Sequence, residues 1–262
     1  MKTRDLVRKL DAVRSQGESS YSNIYRSIAS LPEQEWECRT SEKTVCISYF
    51  EGGAQRSWFL TSDLDDLVKM LREMPKGIVM DIIGRGSSYL SETLARGGFH
   101  SIARMQRWAN RDISVVLDGA SVMVKRYGGS HPGIAAHEDD AGEILAIYTQ
   151  AFDSRVSHLP SLEKLRMAIR AGDVIIHKED GRIRTILQRN VEPKRFYIHQ
   201  VYNDGAKAWL HGLLLAELQK YYTQGGRYLY AWVQDTNIAS QKMHAKYGML
   251  PDGLWDIVYA KK

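Results

Sequence analysis

Residues 196–222, FYIHQVYNDGAKAWLHGLLLAELQKYY, constrain the fold more than any other stretch, because an apolar, β-branched and aromatic run gives way within a few residues to a helical pattern. Asn203, Asp204 and Gly205 supply the break: Asn and Asp hydrogen-bond their own backbone, and Gly tolerates unusual dihedrals. Beyond them Leu210, Leu213, Leu214, Leu218 and Tyr221 recur at spacings of three and four, the apolar face of an amphipathic helix. A strand feeding straight into a helix leaves the first helical N–H groups unpaired and facing outward, which makes a ready anion site. Most such turns bind nothing, so the turn by itself allows a phosphate-bearing ligand without requiring one.

The rest of the chain narrows the choice. Its 262 residues exceed a typical domain of roughly 100–150 residues, which allows two domains or one elaborate one. Lys and Arg total 36 against 31 Asp and Glu, with a pI near 9.1, but the basic residues are scattered and form no block. That distribution describes a solvated mixed surface and argues against a nucleic-acid partner. Residues 1–16, MKTRDLVRKLDAVRSQ, are charged throughout and lack the apolar core of a signal peptide. No run approaches the roughly 18 apolar residues of a membrane span, so a cytoplasmic protein with no membrane partner is expected. Cys38 and Cys46 fit that compartment as free thiols, although their place in one hairpin leaves a bridge open.

Taken in order, residues 4–30 carry a helical pattern of Leu6, Val7, Leu10 and Val13, then Tyr21, Ile24, Tyr25 and Ile28, interrupted near Gly17. Alternation over residues 36–50, Gly52-Gly53 and a run at 56–60 predict an antiparallel meander. Ser62-Asp63 then caps a helix, 77–83 forms a buried strand, a helix over 88–96 ends at Gly97-Gly98, and strands at 101–108 and 113–124 close an α+β unit. The Gly- and Pro-rich 127–133, YGGSHPG, marks the domain boundary, giving domains 1–126 and 127–262. After it the order is two helices, three strands, the helix of the opening stretch, a strand at 227–233, a helix from Asn237 to Gly248, and a last strand at 255–260. His137, Glu138, Asp139 and Asp140 are metal-ligand types, but adjacent residues at a helix start do not converge on one ion and read as an acidic cap; no metal is expected.

Residues 237–249, NIASQKMHAKYGM, resemble the late helix of the GCN5-related N-acetyltransferases (GNAT), whose usual form is N-x-x-A-x-x-L-Y-x-K-x-G-F. Asn237, Ser240, Met243, Lys246 and Gly248-Met249 match, while His244 stands where the family places a tyrosine. With the order of elements, the resemblance covers about residues 133–262. It implies an α+β, GNAT-like mixed and mostly antiparallel sheet flanked by helices. Residues 89–99, YLSETLARGGF, resemble the helix-Gly-Phe close of the same family, which points to a degenerate first copy and hence two tandem GNAT-like domains.

The resemblance implies direct transfer of an acyl group from acetyl-CoA, or another acyl-CoA, to a primary amine of a small-molecule or peptide acceptor. Such a reaction needs a base, N–H donors for the thioester oxygen and an acid for the departing thiolate. It would place the Val201 amide on the carbonyl and the pantetheine between this strand and residues 230–233. His244 is the acid candidate, as an imidazolium, and Asn237 caps its helix, with Asn237 and Ser240 beside the pantetheine by resemblance. Tyr197 and His199 share one strand face, which becomes the acceptor floor, with His199 as candidate base. The departure lies in the phosphate turn. Where the family has V-x-P-x-x-R-G-x-G-x-G/A, alignment from Val201 offers Ala206, Lys207, Ala208, Trp209, Leu210 and His211, and Gly205 enters only on a shift of register. Ala206 and Ala208 are small and Lys207 is cationic, but Trp209 is bulky beside a diphosphate. That departure keeps two alternatives open: a donor such as acyl carrier protein or aminoacyl-tRNA, or a non-catalytic binding module.

Overall fold

The computed structural model describes every residue except 18, 26–27, 29–34, 86–89, 119–132 and 206. It contains α1 (Thr3–Arg14), β1 (Tyr21–Ser22), β2 (Glu37–Thr40), β3 (Thr44–Glu51), β4 (Ala54–Thr61), α2 (Leu64–Arg72), β5 (Val79–Arg85), α3 (Ser91–Arg96) and β6 (Phe99–Asn110). There follow α4 (Ser114–Asp118), β7 (Ile134–Ala135), α5 (Ala141–Ala151), α6 (Leu162–Arg170), β8 (Val174–Glu179), β9 (Arg182–Glu192), β10 (Arg195–Asn203), α7 (Lys207–Thr223), β11 (Leu229–Gln234), α8 (Ile238–Ala245) and β12 (Leu250–Lys261).

Two compact units share the chain. Met1–Met105, Ser154–His158 and Leu254–Lys262 form the first, and Gln106–Asp153 with Leu159–Gly253 form the second. This differs from a single cut between 126 and 127, because the twelve-residue strands β6 and β12 are each divided between units and the segment after α5 joins the first. A linear boundary read from Gly and Pro content has no access to such exchanges. Of the expected linker, residues 127–132 lie outside the described set, as does the expected helix start at Ser88.

In the first unit the sheet runs β2-β3-β4-β5-β12, with β1 also paired to β4. Gly52 and Gly53, at φ 60° and 90°, make the two-residue turn that joins β3 to β4. Asp63 caps α2 by accepting from the Asp65 and Asp66 N–H groups. The apolar stripe Leu67, Leu71 and Met74 packs with Phe59, Met80, Ile82, Phe99 and Ile257 on one sheet face. On the other face Val79, Val258 and Ala260 pack together. Cys38 lies opposite Ile47 and Cys46 opposite Arg39, so neighbouring register positions send the two thiols to opposite faces; both are free. Tyr21 and Ser22, within the stretch expected to be helical, instead form β1, which pairs Tyr21 with Thr61 and Ser22 with Leu60, while 26–27 lie outside the described residues. The unpaired edge of β4 takes precedence over a weak helical spacing.

In the second unit the order is β11-β10-β9-β8-β7, parallel between β11 and β10 and antiparallel elsewhere. Asp180 and Gly181, at φ 50° and 76°, turn β8 into β9. Helices α5 and α6 bury Ile144, Tyr148, Leu165 and Ile169 against Val174, Ile176, Ile183 and Ile186. His137 and Asp140 form a reciprocal capping box and Asp140 pairs with Lys178 at 2.6 Å, so the acidic run is a helix cap. Of the expected strand at 113–124, residues 119–124 lie outside the described set and the rest is corrected: 114–118 is the helix α4, since Ile113 and Val116 are buried while Val115 is exposed, a helical spacing hidden by β-branched content. The expectation of an amphipathic α7 is also corrected. Leu210, His211, Gly212, Leu213, Leu214, Leu215, Glu217, Leu218 and Tyr221 are all buried, so the helix is enclosed on most sides. Among the described residues no helix is long and apolar enough to cross a membrane.

Enclosing α7 brings Glu217 inside, 3 % exposed, where Arg189 of β9 meets it with Nε 2.9 Å from Oε2 and also reaches Asp173 at 3.2 Å. Arg189→Met would leave that carboxylate buried beside Lys220 alone, at an expected cost of about 3 kcal/mol. Urea unfolding checks this. The Arg189→Met, Glu217→Leu pair should regain most of the loss, and a single-variant cost under about 1 kcal/mol would show that the pair contributes little.

Candidate active site

Strands β10 and β11 begin as a regular parallel pair, Phe196 opposite Leu229, Tyr197 opposite Tyr230 and Ile198 opposite Ala231, and the pairing ends there. β10 continues to Asn203 and β11 to Gln234, so the two strands part and leave a gap. The cause is local. Against β9 the register of β10 shifts between Ile198 and Gln200, a bulge at His199 that bends the strand and inserts one residue. The Phe196 N–H donates towards β11, to the Tyr228 carbonyl at 2.8 Å, and the Asp204 N–H donates the other way, to Arg184 of β9 at 2.8 Å. Strand alternation across the inserted residue therefore turns the Val201 and Asn203 N–H groups towards the gap. Among the described residues these donors meet no strand on that side.

At the end of the gap lies the turn into α7. Asn203 fixes it, accepting from the Thr185 hydroxyl at 2.7 Å and donating to the Gly205 carbonyl at 3.0 Å. Asp204 is held by Arg184 at 2.9 Å. The Trp209 ring folds back over Gly205, so close that a Cβ there would fall 2.0 Å from it, and lies 4.3 Å from the His177 ring. This answers the difficulty that Trp209 posed: its half-buried ring lies across the turn instead of filling the core, and only glycine fits beneath it. Lys207 is exposed and Ala208 half-buried at the first turn, while Ala206 lies outside the described residues. Leu210 and His211, aligned with the phosphate turn in sequence, are buried, with His211 Nδ1 2.7 Å from the Tyr247 hydroxyl. They belong to the packing of α7 and leave the turn with Gly205, Lys207 and Ala208.

Across the gap, Asn237 caps α8 by accepting from the Ser240 N–H at 3.0 Å, as expected. His244, on the same helix, is 3 % exposed. Its Nδ1 lies 2.8 Å from the Ser240 carbonyl and 3.2 Å from the Ser240 hydroxyl, and Nε2 is buried with no partner among the described residues. Burial pulls its pKa down to about 4, against a small opposing effect of the Ser240 hydrogen bond. At neutral pH the ring is uncharged, donating through Nδ1 and presenting a lone pair at Nε2, which corrects the expectation of a resident imidazolium. Sequence spacing placed the residue; the desolvation that sets its charge comes from tertiary packing.

Tyr197 and His199 do share a face, with ring centroids 5.3 Å apart. The structure adds residues that spacing did not single out. Tyr230 stacks on Tyr197 at 4.7 Å, Tyr228 stacks on Tyr230 at 5.6 Å, and Arg107, paired with Asp252 at 2.7 Å, lies 5.9 Å from the Tyr230 ring. The alternation Tyr228, Tyr230, Trp232 was the available signal.

The corresponding gap in the first unit is filled. The parallel pair β4–β5 meets only at Arg56 and Val79. Where the strands part, buried Asn23 donates from Nδ2 to the Ser57 and Asp81 carbonyls at 3.1 and 3.2 Å, and its Oδ1 accepts from the Phe59 N–H at 2.6 Å. The chain's own β1 and Asn23 thus pair with the backbone that the second unit leaves open.

No family model matches the chain, and no curated protein matches its sequence. Solved structures do match. A tandem GNAT protein from the clavulanic acid biosynthesis pathway aligns over 98 % of this chain and 94 % of its own, at TM-score 0.56 and 11 % identity. A GCN5-related N-acetyltransferase from Sphaerobacter thermophilus covers 84 % and 76 %, at 0.53 and 12 %. A conserved protein of unknown function from Enterococcus faecalis V583 covers 99 % and 70 %, at 0.52 and 8 %. The fold is that of the GCN5-related N-acetyltransferases in tandem form, a mixed α+β fold with a mostly antiparallel sheet flanked by helices.

The buried neutral state of His244 gives a pH dependence. The unfolded ring gains its proton near pH 6.5 and the folded ring only near 4, so the unfolded state binds more protons between those values. Stability present above pH 6.5 is therefore lost as pH falls towards 4, at up to about 1.4 kcal/mol per unit from this residue. His211, pulled to about 4 by burial and by Lys246 and Lys207, acts in the same direction. Denaturant unfolding at pH 7, 6 and 5 should show the slope, and His244→Phe should flatten it by roughly 1 kcal/mol per unit.

Proposed function

We propose that this chain is an N-acyltransferase that moves an acyl group, in the simplest case from acetyl-CoA, to a primary amine in a ternary complex, and that the second unit carries the reaction. The observation that supports this most is the early end of the β10–β11 pairing, with the Val201 and Asn203 N–H groups turned into the gap. A pantetheine arm, itself two amides long, fits there as a surrogate strand. The Val201 N–H then meets the thioester oxygen and stabilises the oxyanion as the amine attacks. Asn203, Gly205 and Lys207 lie at the phosphate end of the arm. The tyrosine face with His199 forms the floor for the acceptor, and His199 takes the proton that leaves the amine neutral. As the carbon–sulfur bond breaks, the new amide nitrogen loses a proton and the thiolate gains one. His244 in its neutral form is an acceptor, so the thiolate draws on the proton released from the amine, relayed by water.

One observation favours a second reading. The Trp209 ring lies over Gly205, the turn's single glycine, and Asp204 sets a carboxylate beside it. A donor that carries the pantetheine without the full adenosine diphosphate, such as acyl carrier protein, asks less of that turn.

Isothermal titration separates these readings. Acetyl-CoA is expected to bind with one site per chain, because Asn23 and β1 fill the gap of the first unit; two sites would contradict that assignment. No binding of any acyl-CoA, with turnover on an acyl carrier protein donor, would move the conclusion to the second reading. Val201→Pro removes an N–H that no ladder uses and should lower kcat by roughly 10²–10³ with little change in donor affinity. An unchanged rate would discard the oxyanion role.

A further inference from the structure

Away from the proposed transfer site, the first unit contains a buried charged cluster on the sheet face opposite α2. Arg56, fully buried, donates from Nη1 to both Asp81 carboxylate oxygens at 2.9 and 3.1 Å, and from Nη2 to the carbonyls of Ser154, Arg155 and Ser157 at 3.0–3.4 Å. His158 follows on the same segment. Its Nδ1 lies 2.8 Å from Glu51 Oε2, and its Nε2 faces Asp81 Oδ1 at 3.5 Å. From β12, Asp256 brings a carboxylate to the same point, and its buried Oδ1 has no hydrogen-bond partner among the described residues. Donor atoms of Asp81, His158 and Asp256 all lie within 4.8 Å of one another.

We infer that Asp81, His158 and Asp256 form a binding site for one divalent transition-metal ion that pins the Ser154–His158 segment to the first unit's sheet. Three features support it independently. The orphaned Asp256 oxygen is the group a cation would satisfy, since a buried carboxylate oxygen without a partner is costly. The imidazole is oriented as metal-bound histidines are, one nitrogen held by a carboxylate, Glu51, and the other turned to the site. The cluster sets three carboxylates against one guanidinium and, in the ion-free form, one imidazolium, so one carboxylate charge stays uncompensated until a divalent ion displaces the His158 proton. One imidazole with two carboxylates suits zinc, manganese or cobalt, whereas magnesium and calcium take all-oxygen sets. Part of the ring edge of His158 reaches solvent, 26 % of the side chain being exposed, which gives an ion a way in. In the ion-free form burial lowers the pKa of His158, but hydrogen bonds to Asp81 and Glu51 outweigh it and hold the pKa at about 9; the cation takes the place of that proton.

The test uses the full chain, purified in chelator and titrated with Co²⁺ at pH 8. One equivalent should give visible d–d absorption, lost on adding Zn²⁺, and Zn²⁺ should raise the Tm by several degrees while Mg²⁺ does not. Asp256→Asn keeps the shape of the side chain and removes an unpaired buried charge, so it should fold at least as well and lose at least ten-fold in Co²⁺ affinity. His158→Gln, at the more exposed ligand, provides a second variant with the same expectation. No cobalt band and no Zn²⁺ shift would overturn the inference, and so would undiminished binding in both variants. Acyl-CoA titration of the same variants keeps the outcome separate from the proposed transfer activity, since Val201 and its gap belong to the second unit and should bind donor as before.

Discussion

A parallel pair of strands that parts has to do something with the backbone groups it no longer pairs, and this requirement organises both units. Buried N–H and C=O groups without partners are costly, so a divergent pair is stable only if something fills the gap or water and a ligand reach it. In the first unit Asn23 fills it, with side-chain amide bonds to both strands and β1 running along the edge of β4. In the second unit the bulge at His199 opens β10 away from β11 and no segment of the described chain takes the space. The two units thus satisfy the same backbone demand in different ways, one by internal structure and one by turning donors into an open gap.

The open gap is useful only if its walls hold still. β10 is secured along its other edge by β9, paired over nearly its whole length, and α7 is enclosed on most sides with Glu217 tied to Arg189. The turn between them is fixed twice, by the Asn203 side chain and by the Trp209 ring resting on Gly205. In the proposed acyl transfer, donors held in this way need no reorganisation as charge develops on the thioester, which is the condition for electrostatic catalysis. The same rigidity fixes the turn into α7, and a tryptophan over that turn is the feature that most distinguishes it from a glycine-rich one.

Much of this architecture was legible in local sequence. The helix caps Asp63 and Asn237, the turn glycines 52 and 53, and the strand, turn and helix of residues 196–222 each have a short-range cause, and each stands where the spacing put it. Errors arose where a local pattern was outweighed by distant partners. Tyr21 and Ser22 lay within a helical spacing but met the free edge of β4, and 113–118 looked like a strand until the exposure of Val115 separated it from its buried neighbours. Asp81, His158 and Asp256 are far apart in sequence, on two strands and a loop, so no spacing rule joins them.

The sequence by itself determined most of the order of elements, the α+β class and the position of the strand-to-helix junction, because hydrophobic period, caps and turn residues act over a few residues. Only the tertiary structure decided the chemistry of that junction. Whether Val201 presents its N–H to a gap depends on a bulge defined against β9, whether His244 is charged depends on how completely it is desolvated, and whether Trp209 blocks or covers the turn depends on the ring finding Gly205 and His177. Each of these is set by neighbours distant in the chain, through hydrogen-bond register, burial and packing.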